Sequence, residues 1–253
     1  MKMLLAIDVG NTNTVIGLFD DELLVHSWRI NTNPRETADE IELTYRGLLS
    51  DHVVTGIVLC STVPSVLSEM RVMLNRYYNG VPTVIVEPGI KTGVPITTDN
   101  PKEVGADRIV NSLAAFTLFG GPCIVVDFGT STNLDVVSSK GEFIGGALAP
   151  GIEISLDALA TRAAQLRKVE LTAPRNVIGK NTVEALQSGM IFGFAGQVDG
   201  LVDRIVEELG TDVKAVVATG GLAGIVVAES ETITHHEPDL TLIGLRLIFA
   251  RNQ

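Results

Sequence analysis

Three aspartates stand among neighbours that could give them chemical work. Asp8 ends the apolar run of "LLAIDVGNTNTVIGLF", Asp127 ends that of "CIVVDFGTSTNLDVVS", and Asp107 adjoins Arg108 in "EVGADRIV". The first two stretches echo each other: Asp8 aligns with Asp127, Gly10 with Gly129 and Thr12 with Ser131, 119 residues apart. A glycine after each acid lets the backbone turn and approach a ligand without a Cβ in the way. The small residues that follow can turn N–H groups and hydroxyls into a concave nest for oxyanions. Bare carboxylates would repel a phosphate, so Asp8 and Asp127 suit one only with a cation, or water around magnesium, in between. Taken singly, each stretch is explained as well by a tight turn with Asx-type hydrogen bonds. Two in matching contexts half a chain apart favour a paired anion clamp.

Asp107 and Arg108 leave two readings open. They could be the solvated first turn of a helix, with the acid favoured by the helix dipole. They could equally be a base that takes a hydroxyl proton and a cation that grips an anionic group. Thr219-Gly220-Gly221 at a strand end is a weaker candidate for a backbone lying against a flat nucleoside. Other routes to similar chemistry are missing: the chain contains no G-x-x-x-x-G-K-[ST], no G-x-G-x-x-G and no G-x-S-x-G. His26, His52, His235 and His236 have no metal-ligand spacing, and the adjacent pair reads as loop.

Bulk properties narrow the class. A formal charge of −11 argues against nucleic-acid or anionic-membrane partners and requires any phosphate site to be built locally. No apolar run approaches a membrane span, and Asp8 interrupts what would be a signal peptide's apolar region. Cys60 and Cys123 each lie within apolar runs and read as reduced core thiols of a cytoplasmic protein.

The elements that must hold these residues alternate. The start reads strand, hairpin, strand, followed by a helix capped by Thr37 with Glu40 three residues on. "GIVLCSTVP" reads as a buried strand, "SVLSEMRVMLNRYY" as a helix and "TVIVEPG" as a strand. A helix is expected from near Pro101, then the repeated hairpin, helices over "SLDALATRAAQL" and "TVEALQSGMIFGFAGQVDGLVDRIVEEL", the strand "AVVATGG" and the terminal amphipathic "TLIGLRLIFARN". Strands alternating with helices give an α/β fold in two related halves, 1–117 and 118–253, with the last helix free to pack back on the first.

With these motifs the chain resembles the type III pantothenate kinases, within the acetate and sugar kinase/Hsp70/actin superfamily. "DVGNTNT" is similar to that family's first phosphate motif, "GADR" to its substrate motif and "DFGTST" to its second phosphate motif; "GGALAPG", "GKNT" and "TGG" follow in order. The resemblance implies two duplicated ribonuclease-H-like domains with ATP in the cleft between them. It also implies transfer of the ATP γ-phosphoryl group to the primary hydroxyl of pantothenate, at the start of coenzyme A biosynthesis. Carried over residue by residue, Asp8, Val9, Gly10, Asn11, Thr12, Asn13, Thr14 and Val15 would line the ATP phosphates, with Asp8 acting on magnesium through water. Asp107 would be the general base; Gly105, Ala106, Arg108 and Thr182 would hold pantothenate. Thr130 would contact ATP, and Asp127 would bind a monovalent cation, potassium or ammonium. A homodimer is implied, with part of the substrate site near the partner subunit. Thr98 stands where many members carry tyrosine, and Asn133-Leu134 where Thr-Phe is common. The alternatives are a kinase of another small alcohol and a non-catalytic, nucleotide-binding regulatory homologue.

Overall fold

The computed structural model describes residues 3–162 and 169–253. In chain order its elements are β1 (Met3–Val9), β2 (Asn13–Asp20), β3 (Leu23–Asn31), α1 (Ala38–Leu49), β4 (Val54–Ser61), α2 (Pro64–Tyr77), β5 (Thr83–Ile85) and α3 (Ala106–Phe119). There follow β6 (Cys123–Phe128), β7 (Ser131–Val137), β8 (Phe143–Pro150), α4 (Ile152–Arg162), α5 (Thr182–Leu209), β9 (Ala215–Thr219), α6 (Ala223–Val226), β10 (His235–His236) and α7 (Leu240–Arg251).

They form two compact units. The first takes the chain up to Val94, Asn100–Ala114 and Thr241–Gln253; the second takes Pro95–Asp99 and Ala115–Leu240. The division is discontinuous in sequence, whereas one break after residue 117 would leave two uninterrupted halves; the boundary falls inside α3, and α7 belongs to the first unit. Each unit holds a five-stranded sheet, ordered β3-β2-β1-β4-β5 in one and β8-β7-β6-β9-β10 in the other. In both, an antiparallel meander of three strands is followed by strands parallel to its first. The duplication legible in the two hairpins therefore extends through both sheets.

Alternation along β1 divides the first sheet's faces. Met3, Leu5, Ile7 and Val9 join Ile41 and Tyr45 of α1 and Met70 and Met73 of α2 in one core. Leu4, Ala6 and Asp8 point to the other face, which α7 covers at two glycines: a Cβ on Gly17 would meet Leu242, and one on Gly56 would collide with the Phe249 ring. The helix α1 starts where expected, with the Thr37 hydroxyl accepting from Glu40 N and the Glu40 carboxylate accepting from Thr37 N. Such a cap stabilises a helix by about 1 kcal/mol.

Three expectations are corrected or bounded. The helix expected near Pro101 is a 3₁₀ turn, Pro101–Glu103; extended Val104 separates it from α3, which starts at Ala106. Asn100 Nδ2 donates to Glu103 Oε1 at 2.6 Å and closes that turn on itself. His235 and His236 are not loop but β10, paired with Val217 and Ala218 at the sheet edge. The helix expected over "SLDALATRAAQL" is α4 as far as Arg162, and its end, 163–166, lies outside the described residues. No helix among the described residues is long and apolar enough to cross a membrane.

Candidate active site

In the first unit, the β1–β2 turn and the start of α3 bring their acids into mutual electrostatic range. The turn is closed by Gly10 N donating to Asn13 O at 3.0 Å, and a Cβ at Gly10 would press on that same carbonyl. Thr32, just past β3, braces it from beside: its hydroxyl donates to Gly10 O at 2.7 Å, its N–H donates to Thr12 O at 2.9 Å, and Thr14 Oγ1 lies 2.9 Å from its Oγ1. Thr14 is thus buried and engaged within the sheet, while Asn11 and Thr12 form the exposed apex. Val9 is core, and Val15 sits opposite Asp8 in the β1–β2 pairing.

Asp8 Oδ1 accepts a hydrogen bond from Cys60 Sγ at 3.2 Å, from the neighbouring parallel strand. Burial pushes the Asp8 carboxyl up to about 6; the Cys60 bond pulls it down, the Asp107 charge adds to the rise and Arg29 opposes it. Burial also drives the Cys60 thiol well above its ordinary value, so it stays a neutral donor.

Asp107 sits in the first turn of α3, where Gly105 leaves room for its carboxylate: a Cβ there would come within 2.5 Å of Asp107 Oδ1. Oδ1 accepts from Arg108 N at 2.9 Å. Burial raises the Asp107 pKa, against the pull of the Arg108 N–H and guanidinium. Behind it, α3 is anchored to α7. Thr241 Oγ1 donates to the buried Asn111 Oδ1 at 2.7 Å, and a Cβ on Gly244 would collide with Val110 O. Gly105, Ala106 and Arg108 are all partly buried around Asp107.

In the second unit, Asp127 occupies the place of Asp8. Gly220, at φ +93, lies so close that a Cβ would stand 2.5 Å from Asp127 Oδ1 and 2.7 Å from Phe128 O. Both the left-handed backbone and the close approach require glycine there. The Phe128 carbonyl accepts from Leu222 N at 3.4 Å, which ties the end of β6 to the segment after Gly220. The β6–β7 turn holds Thr130 exposed at its tip; Gly129 N donates to Ser131 O and Gly151 N to Thr130 O. Two of the departures singled out in the sequence, Asn133 and Leu134, have local explanations. Asn133 Oδ1 accepts from Ser131 Oγ at 2.9 Å, and Leu134 is fully buried in the core of this unit. Thr98 leaves a buried hydroxyl with no hydrogen-bond partner among the described residues. Thr182 opens α5, exposed, directly after the N-cap Asn181, whose Oδ1 accepts from Glu184 N.

Pairing registers set the two acids in corresponding rows. Across the first sheet run Arg29, Val15, Asp8 and Cys60; across the second run Leu148, Asn133, Asp127 and Thr219. In the sequence Thr32 and Arg29 carry no signal, and Cys60 reads only as a core thiol. Only the strand pairing brings them to Asp8 and its turn, and no local motif marks them.

Comparison with known proteins follows the same residues. A family model described as type III pantothenate kinase matches residues 4–204, a span holding both hairpins, Asp107 and Thr182. The type III pantothenate kinase of Frankia alni is 70% identical over 250 residues, covering 99% of this chain and 100% of its own. That of Salinispora arenicola is 66% identical over 252 residues, covering 99% and 100%. Among solved structures, the inorganic polyphosphate/ATP-glucomannokinase of Arthrobacter sp. strain KM shares the fold, with TM-score 0.54, 13% identity and 100% of both chains covered.

Proposed function

The chain belongs to the type III pantothenate kinase family, and from that premise we propose how its residues divide the phosphorylation of pantothenate by ATP. The primary hydroxyl oxygen of pantothenate attacks the γ-phosphorus, the bond from that phosphorus to the β,γ-bridging oxygen breaks, and ADP leaves. Asp107 takes the hydroxyl proton. The observation that carries this assignment is the pair of carboxyls, Asp107 and Asp8, close enough in one unit for the charge of one to raise the pKa of the other. Burial also raises the pKa of Asp107 itself, which makes it a better base near neutral pH than a solvated aspartate.

The turn from Asp8 to Val15 lines the phosphates. Gly10, Asn11, Thr12 and Asn13 offer the approach, and Thr14, tied to Thr32, keeps the turn in shape. Thr130 contacts ATP from the second hairpin; Gly105, Ala106, Arg108 and Thr182 hold pantothenate. Phosphoryl transfer asks mainly for alignment and charge stabilisation. Magnesium supplies part of that charge when bound with ATP, and Asp8, a hard oxygen donor, would hold it through water. Asp127 would hold potassium or ammonium. Buried free thiols at Cys60 and Cys123 suit the reducing cytoplasm. A homodimer is supported by apolar side chains left exposed on the second unit, among them Leu148 at 67% and Ile178 at 75%.

The test is a coupled ADP-release assay with pantothenate and a panel of other small alcohols, with and without potassium. Pantothenate should be the preferred acceptor, and Asp107→Asn should lower kcat by about 10²–10⁴-fold, the usual worth of a general base. Turnover with another alcohol but none with pantothenate under any cation would overturn the assignment, as would an Asp107→Asn enzyme of undiminished kcat.

A further inference from the structure

We propose that Arg29 is a further nucleotide-binding residue, its guanidinium taking the terminal phosphates of ATP beside Asp8. This rests on the reading that the Asp8–Val15 turn lines the phosphates.

The argument begins with register. Asp8 pairs with Val15 and Val15 with Arg29, so the three side chains emerge on the same face of the sheet in one row. Strands lie about 4.8 Å apart, which separates the backbones of Arg29 and Asp8 by about 10 Å, within the combined reach of an arginine and a phosphate chain. Arg29 is exposed, and among the described residues no carboxylate forms an ion pair with it. Its charge is nonetheless felt at Asp8, where it favours the ionised carboxylate.

The duplication supplies an internal control. In the second unit the same place in the row, two strands from Asp127, is held by Leu148. The repeated scaffold therefore does not itself require a cation there, and the difference falls in the unit whose turn is read as carrying the triphosphate. A chain of net charge −11 draws no anion by its overall field. A guanidinium offers a planar fork of donors that matches phosphate oxygens two at a time.

Calorimetry on the full chain with ATP, ADP and AMP, each with magnesium, tests the role without reading activity. The parent should bind ATP more tightly than AMP. Arg29→Gln should weaken ATP by about tenfold or more, as for loss of a hydrogen bond to a charged group, and leave AMP unchanged. Arg29→Lys should recover part of the loss, keeping the charge but not the fork. Equal weakening of all three nucleotides, or unchanged ATP affinity in Arg29→Gln, overturns the proposal. A parent that binds ATP and AMP alike would instead bring down the phosphate reading of the turn, and Arg29 with it.

Discussion

Burial near Asp107 pushes the Asp8 carboxyl up to about 6 from an ordinary 3.8. The folded protein thus binds that proton more tightly than the unfolded chain. Stability from this group is unaffected while both states are protonated, falls as pH rises from about 4 to about 6, and stays lower above that. The cost at neutral pH is about 3 kcal/mol. Asp8→Asn should therefore stabilise the nucleotide-free protein by up to about 3 kcal/mol at pH 8, the gain shrinking towards zero near pH 4. Urea denaturation of parent and variant across that range reads the difference; a gain independent of pH, or a loss at pH 8, would contradict it. Asp8 itself was legible, because an acid at a strand end before glycine is a local pattern. Its environment was not: Cys60 lies 52 residues away in sequence, and only the β1–β4 register brings the thiol to the carboxylate.

Two helices that touch at Gly244 and Val110 carry the base. The α3 element presents Asp107, and α7 fixes α3 through the Thr241–Asn111 hydrogen bond and the bare Gly244 surface. Because the atom a Cβ would strike is the Val110 carbonyl, a backbone atom, no side chain can swing aside to admit it. Gly244→Ala should cost about 1–3 kcal/mol as an overpacked contact, and it should lower kcat by moving the start of α3. Denaturation together with steady-state kinetics checks this; full stability with full kcat would show that α7 does not position Asp107. Helix starts were legible where the signal is local, as with Thr37 and Glu40. Pro101 misled because proline opens a 3₁₀ turn as readily as an α-helix, and extended Val104 then breaks the run. The histidine pair departs from a loop for the opposite reason: a two-residue edge strand exists only through its partner β9.

Across the whole molecule, one sheet plan is used twice with different side chains in corresponding rows. The echo of two short hairpins was enough to read the duplication, since it repeats the acid, the glycine and the flanking apolar runs. The matching of Cys60 with Thr219 and Arg29 with Leu148 was not legible, because those strands share no sequence pattern. Leu148 lies on the edge strand β8 with Ile144, both exposed, an arrangement that soluble chains usually cover. Sedimentation should give twice the mass of one chain, and Leu148→Lys should shift it towards the monomer; a variant that remains fully dimeric would remove β8 from the interface. The place of α7 has one more consequence, for synthesis. Residues Thr241–Gln253 complete the first unit yet are made after the second. While the chain is being made, the face carrying Ala6, Gly17 and Gly56 waits uncovered, and the second unit is finished before the first. A chain that has not yet reached α7 would hold the acids but lack the helix that anchors α3, so the order of synthesis leaves the frame of the base until after the second unit.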